Sequence, residues 1–202
     1  MRGKILSLIS CLRINNYIKN LLIFVPFAFG DIGYLDFIRC FKNTIWGFVA
    51  ISLLSSIIYI MNDIRDKEYD RNHPIKSKRP IAAGMILNKE IVCMLALLTI
   101  LILFCCIAGR LSVRALVILA VYVFINIMYS FFLKNIPIID IFTVSSFYLI
   151  RIFYGAALVD VSVSSWLFLT VFSLSLYLCA AKRFGEFLDV ADKEKPTRNV
   201  IE

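Results

Sequence analysis

Asn62, Asp63, Asp66 and Asp70 follow directly on an uncharged apolar run over residues 44–61, so their spacing gathers carboxylates at a membrane surface. On a helix that advances ~100° per residue, the four side chains fall within an arc of roughly 100°, whereas Arg65 and Glu68 point away. At ~4 Å and an effective dielectric near 20, each carboxylate pair repels by about 4 kcal/mol, so the face needs a cation or shifted protonation. Mg²⁺ suits such a face, because that ion keeps most of its waters and is held by one or two carboxylates plus the phosphates of a substrate. The other reading is a solvated acidic helix end with interleaved bases.

A basic loop adjoins this face, with Arg71, His73, Lys76, Lys78 and Arg79 packed into nine residues. Pro74 and Pro80 restrict its backbone and Asn88 can cap the helix that follows, which predicts an ordered loop. Bases set against carboxylates suit a polyphosphate ligand: arginine and lysine neutralise its terminal oxygens while the carboxylates grip it through metal. Ordinary positive-inside charge explains any one of these bases but not their density.

Ionisable residues inside apolar spans are expensive in lipid and usually face a cavity. Asp140 and Arg151 lie eleven residues apart, close to three turns, and so share one side of a helix; Tyr122, Asn126 and Ser130 recur at every fourth position of the preceding one. Lys182, Arg183, Glu186 and Asp189 fall within an arc of ~120° if the last helix continues past its span. An interhelical ion pair with hydrogen-bonded packing is an equal alternative for Asp140, Arg151 and Asn126.

The elements that must position these groups are transmembrane helices. With 60% apolar residues and a mean hydropathy of +0.83, the chain exceeds what a soluble domain carries. Apolar segments over residues 44–61, 91–109, 115–133, 136–159 and 161–181 are each long enough to cross a hydrocarbon core of ~30 Å. A sixth, 21–30, reaches that length when 14–20 is included and Lys19 snorkels. Seventeen of the 22 lysines and arginines then fall on one side and four, Arg39, Lys42, Arg110 and Arg114, on the other. By the positive-inside rule both termini and the charged loops are cytoplasmic. The net charge of +8 belongs to topology and anionic ligands, and nothing suggests nucleic acid. Residues 1–12 resemble a short signal peptide but lack a small-residue cleavage site and are read as mature chain. The six cysteines have no metal-ligand spacing and read as core fillers, and His73 lacks a second ligand for zinc.

Asn62-Asp63-x-x-Asp66-x-x-x-Asp70 resembles the first acidic motif of the UbiA-type polyprenyltransferases. The continuation from Arg71 through His73-Pro74, Lys76, Arg79-Pro80 and Ala82-Ala83-Gly84 is similar to the decaprenyl-phosphate phosphoribosyltransferases within that superfamily. So are Tyr129, Leu133-Lys134, the run from Val144 to Arg151, and Lys182-Arg183-x-x-Glu186, and the similarity extends over nearly the whole chain as a single domain, 1–202. The resemblance implies an all-α bundle of nine transmembrane helices around a central cavity open laterally to lipid, with Mg²⁺ at the acidic motif. Six spans are readable here, an apparent truncation of that fold.

The implied reaction moves a 5-phosphoribosyl group from phosphoribosyl diphosphate to a polyprenyl (decaprenyl) phosphate in a bacterial inner membrane, for lipid-linked sugar and cell-envelope polysaccharide synthesis. On this reading Asp63, Asp66 and Asp70 take metal and diphosphate and Asn62 orients them. Lys76, Arg79 and Lys134 hold phosphates, and Lys182, Arg183 and Glu186 take the ribosyl end or the acceptor phosphate. Arg71, Asn126, Tyr129, Asp140 and Arg151 complete the expected substrate-binding set, and a homo-oligomer is compatible. The competing readings are an aromatic or quinone prenyltransferase, which usually carries a second Asp-rich motif where this chain has Lys182-Arg183-x-x-Glu186, and a lipid-binding scaffold without catalysis.

Overall fold

The computed structural model of the protein describes residues 2–72 and 75–194, apart from the side chains of 2, 3, 5, 135, 137 and 186–194. His73 and Pro74 lie outside the described residues, as do the side chains of Glu186 and Asp189. The described residues are helical, without a strand. Six stretches are long and apolar enough to cross a membrane: Leu6–Phe29, Tyr34–Arg65, Asn88–Ala108, Val113–Phe131, Ile138–Val159 and Ser165–Gly185. The expected spans are all present, and the first begins earlier than residue 14.

That first span is irregular. Helix α1 (Arg2–Leu12) stops at Arg13, whose backbone is left-handed (φ 51°, ψ 48°). A tight 3₁₀ run over Ile14–Phe24 follows, then the short α2 (Val25–Phe29) with Pro26 at its start, where a missing N–H costs nothing. Helix α3 (Phe37–Arg65) is 29 residues, about 44 Å at 1.5 Å per residue, so it crosses the apolar layer and projects beyond it. The acidic motif sits on this projecting end. Contrary to the single helical face expected from spacing, α3 ends at Arg65 and a separate α4 (Lys67–Arg71) begins after Asp66.

Helices α5 (Asn88–Ala108), α6 (Val113–Phe131), α7 (Pro137–Val159) and α8 (Ser165–Glu194) complete the bundle. Leu87, not Asn88, is the cap of α5; its N–H donates to the Glu90 carboxylate at 3.0 Å. Helix α7 is the hub, packed against the first span, α3, α6 and α8. Its close approach to the first span depends on Gly155, where a Cβ would overlap the Ile23 carbonyl group. Ile23, Ile51, Tyr122, Tyr154 and Leu158 form the core around this contact. A second cluster of Cys11, Ile60, Ile81, Ile86, Ile91 and Leu98 buries two of the three loop isoleucines, Ile81 and Ile86, against α3 and α5, which anchors the basic loop. Cys11, Cys40 and Cys105 are buried, in keeping with a filling role, whereas Cys106 and Cys179 are half-buried and Cys93 is exposed on α5 and fills no core.

Gly155→Ala should destabilise the protein by about 1–3 kcal/mol, because the methyl must displace backbone and not a flexible side chain. Gly33→Ala, with nothing within 4 Å of its added Cβ, should leave the thermal midpoint in detergent unchanged; equal midpoints for both variants would refute the close packing of α7 on the first span.

Candidate functional site

Asp63 and Asp70 are almost wholly buried, and Arg79 joins them: Nη1 donates to Asp63 Oδ1 at 3.1 Å and to Asp70 Oδ2 at 2.7 Å. Arg13, exposed to the motif by the break in the first span, donates to the same Asp63 oxygen and lies over the Tyr59 ring. Asp66 turns aside. Its carboxylate accepts from Arg65 Nε at 3.0 Å and from Lys134 Nζ at 3.4 Å. Burial alone would raise the Asp66 carboxyl, but Arg65 and then Lys134 offset that and hold it below the usual carboxylate range. Arg65, expected to point away from the motif, is therefore part of it.

Arg71 braces the loop, donating to Glu68 at 2.9 Å and to the Ala82 carbonyl at 3.2 Å. Lys76 lies over the Tyr69 ring, and with Lys78, Arg79, Arg13 and Asp63 it lines a small cleft of about 320 Å³ under the loop. Asn62 accepts from Ser130 Oγ at 2.6 Å, tying the first motif residue to α6.

Arg13 also lines the second, larger cavity, about 390 Å³ and within the usual size of a small-molecule site. The first span, α3, α6, α7 and α8 wall it. Arg13, Lys19, Arg151, Lys182 and Arg183 line it, and among the described side chains Asp140 is its carboxylate. Asn126, Tyr129 and Tyr122 contribute the neutral polar surface. Asp140 accepts from Tyr129 at 2.7 Å and from Arg183, so the expected charges on α7 and α8 do meet. Asp140 and Arg151 line the same cavity but do not pair. Arg151 is buried and donates to Asn20 Oδ1 at 2.7 Å, the Phe147 carbonyl at 2.6 Å and the Tyr122 hydroxyl at 3.3 Å, none of them anionic.

Sequence reasoning missed Arg13, Lys19 and Asn20 as parts of the site. Arg13 and Lys19 read as topological charge, and no local signal marks a left-handed residue within a span. The hard oxygen donors of Asp63, Asp66 and Asp70 fit Mg²⁺ held jointly with ligand phosphates. They do not form a closed protein cage: among the described residues no three His, Cys, Asp or Glu side chains stand together for a metal.

Arg79→Gln leaves Asp70 buried without its cation and should cost about 2–3 kcal/mol, somewhat less than a fully buried pair because Arg79 is a third exposed. Adding Asp70→Asn should recover most of that loss in thermal unfolding. No recovery would show that Arg79 acts on stability by some other contact.

Three comparisons with known proteins bear on this geometry. The UbiA prenyltransferase family model matches residues 21–198. The chain is 35% identical over 189 residues to a decaprenyl-phosphate phosphoribosyltransferase of Mycolicibacterium smegmatis, covering 93% of this chain and 58% of the relative. A relative of the same name in Mycobacterium tuberculosis is 32% identical over 188 residues, 89% of this chain and 60% of its own length. The fold matches a UbiA homolog from Archaeoglobus fulgidus, solved with DMAPP and Mg²⁺, at a TM-score of 0.67 and 18% identity, over 84% of this chain and 60% of that one. The chain thus spans about 60% of the length of these proteins.

Proposed function

We propose a function for this chain from its place among known proteins: it belongs to the UbiA prenyltransferase family, and it is a multi-pass membrane protein. The reading is transfer of a 5-phosphoribosyl group from phosphoribosyl diphosphate to a polyprenyl phosphate. It is supported by the relatives' names and by one observation above others, a cavity lined by five cations, of which Arg13 already pairs with Asp63, with Asp140 as its carboxylate among the described side chains. Arg151 makes the point most sharply. A guanidinium buried at membrane depth with only neutral partners is costly, and an anionic ligand in the cavity would supply its missing counter-charge.

The chemistry follows from the charges. An oxygen of the lipid phosphate attacks the anomeric carbon, and the bond from that carbon to the diphosphate breaks with its electron pair leaving on the diphosphate. The nucleophile is already anionic, so no strong base is required. Asp63, Asp66 and Asp70, with Asn62 turned by Ser130, would hold Mg²⁺, which supplies charge neutralisation on the leaving group when bound. Lys76, Arg79 and Lys134 would take phosphate oxygens at the motif end, and Lys182, Arg183 and Arg151 would receive the remaining phosphates. Tyr129 fixes Asp140, which in turn sets the Arg183 guanidinium. With the basic loop cytoplasmic, the soluble donor would arrive from that side.

Phosphoribosyl diphosphate should bind the chain in lipid nanodiscs with Mg²⁺, and Lys182→Ala should weaken it about tenfold or more, the worth of one charge-assisted contact to phosphate. Binding of a prenyl diphosphate in place of phosphoribosyl diphosphate would replace this reading with aromatic prenyl transfer. Binding of neither would favour a lipid-binding scaffold.

A further inference from the structure

At the end of the bundle away from the acidic motif, α3 and α6 begin and α5 and α7 end around a hollow of about 480 Å³. Arg39 from α3, Arg110 from the turn between α5 and α6, and Arg114 from α6 line it, and Asp160 at the end of α7 is the carboxylate among its lining residues. Arg39 meets Asp36 at 2.9 Å and Arg114 meets Asp160 at 3.0 Å, both as exposed pairs of the kind that hold weakly. Among the described residues Arg110 pairs with no carboxylate. The helix ends do not use these guanidiniums up. On α5 the carbonyls of Cys105, Cys106 and Ile107 accept from the N–H groups of Gly109, Leu111 and Arg110, and on α7 the Ala157 carbonyl accepts from Ser112 Oγ at 3.2 Å and that of Val159 from Cys40 Sγ. Arg110 and Asp160 are both left-handed (φ 46° and 56°) just past those helices, a position that favours glycine.

The hollow continues into an apolar groove of about 520 Å³ on the flank between α6 and α7, and Val113, Arg114, Ala157 and Asp160 line both. Val117 and Ile118 on α6 and Phe153 on α7 line the groove about one to two turns further into the bundle than the arginines. Tyr34 before α3 and Trp166 in the first turn of α8 are exposed at the same end, as interfacial aromatic residues at headgroup level are. Guanidiniums at headgroup depth above an apolar groove are complementary to a phosphodiester that carries acyl chains. A soluble anion would engage the arginines and leave the groove bare. We propose that this end of the bundle holds an anionic phospholipid, its phosphate among Arg39, Arg110 and Arg114 and one acyl chain in the groove between α6 and α7. The site is independent of the proposed transfer reaction, whose charged groups lie at the other end of α3.

The test is photolabelling of the 202-residue chain in phosphatidylcholine nanodiscs that carry a trace of phosphatidylglycerol, or of phosphatidylcholine, with a diazirine near the head of one acyl chain. Peptide mass spectrometry should find Val117, Ile118 or Phe153 labelled by the phosphatidylglycerol probe about tenfold or more over the phosphatidylcholine probe. Arg110→Gly removes the charge and suits the left-handed backbone, so it should cut that labelling about fivefold, the worth of one basic residue at an anionic surface, while the thermal midpoint holds or rises. Val117→Trp fills the groove and should cut labelling of Ile118 and Phe153 by a similar factor. Lys42→Gln, exposed on α3 at the same end but outside the hollow, should change it less than twofold. Equal labelling by the two probes, equal losses in Lys42→Gln and Arg110→Gly, or undiminished labelling in Val117→Trp would each overturn the proposal. So would displacement of the probe by inorganic phosphate but not by chloride of equal ionic strength, which would make this a site for a free anion.

Discussion

Arg79 reaches from the basic loop to Asp63 and Asp70, on either side of the helix break at Asp66, and binds α3, α4 and the loop into one charged unit. Two nearly buried carboxylates this close would repel, and the guanidinium between them removes that repulsion. The loop can hold Arg79 there because Ile81 and Ile86 are sunk in the apolar cluster below. Arg13 approaches the same Asp63 oxygen from the other side. The carboxylates of the motif are therefore neutralised by the groups that a polyphosphate would also engage, and a cation and an anionic ligand arriving together can exchange partners with them without leaving a buried charge bare.

The membrane-facing half of the site obeys the opposite sign. Lys19 and Arg151 face the same cavity as Lys182 and Arg183, and Asp140 joins them there. The fold builds this wall through α7, which Gly155 lets approach the first span closely enough for Asn20 to bridge Arg151 and Ser52. Arg13 lies at the boundary and lines both the cavity and the cleft under the loop. A ligand with several phosphates can span that boundary, with one end near the carboxylates and the other near Arg151.

Much of this was legible in the sequence because it depends on length and composition. Apolar runs of spanning length located the six helices, and the acidic motif beside the basic loop located the charged end. The periodicity that placed Asp140 and Arg151 on one side of α7 was right about the side and silent about partners, since Tyr129 and Arg183 compete for one and Asn20 for the other. The break at Asp66 carries no glycine or proline signal; it accompanies the tertiary pairs of Asp63, Asp66 and Asp70 with Arg79, Arg65 and Lys134. Arg13 reads in the sequence as a topological charge, because its role follows from a left-handed backbone that no residue type announces.

On the function proposed here, carboxylates and cations at one end of the bundle bind metal and polyphosphate as one unit. Electron paramagnetic resonance with Mn²⁺ in place of Mg²⁺ measures this directly, on the chain in nanodiscs with and without phosphoribosyl diphosphate. Phosphoribosyl diphosphate should tighten Mn²⁺ binding by about five- to a hundredfold, the range of ordinary coupling between two ligands, and Asp63→Asn with Asp70→Asn should abolish the gain. Mn²⁺ affinity that is the same with and without the diphosphate would contradict it.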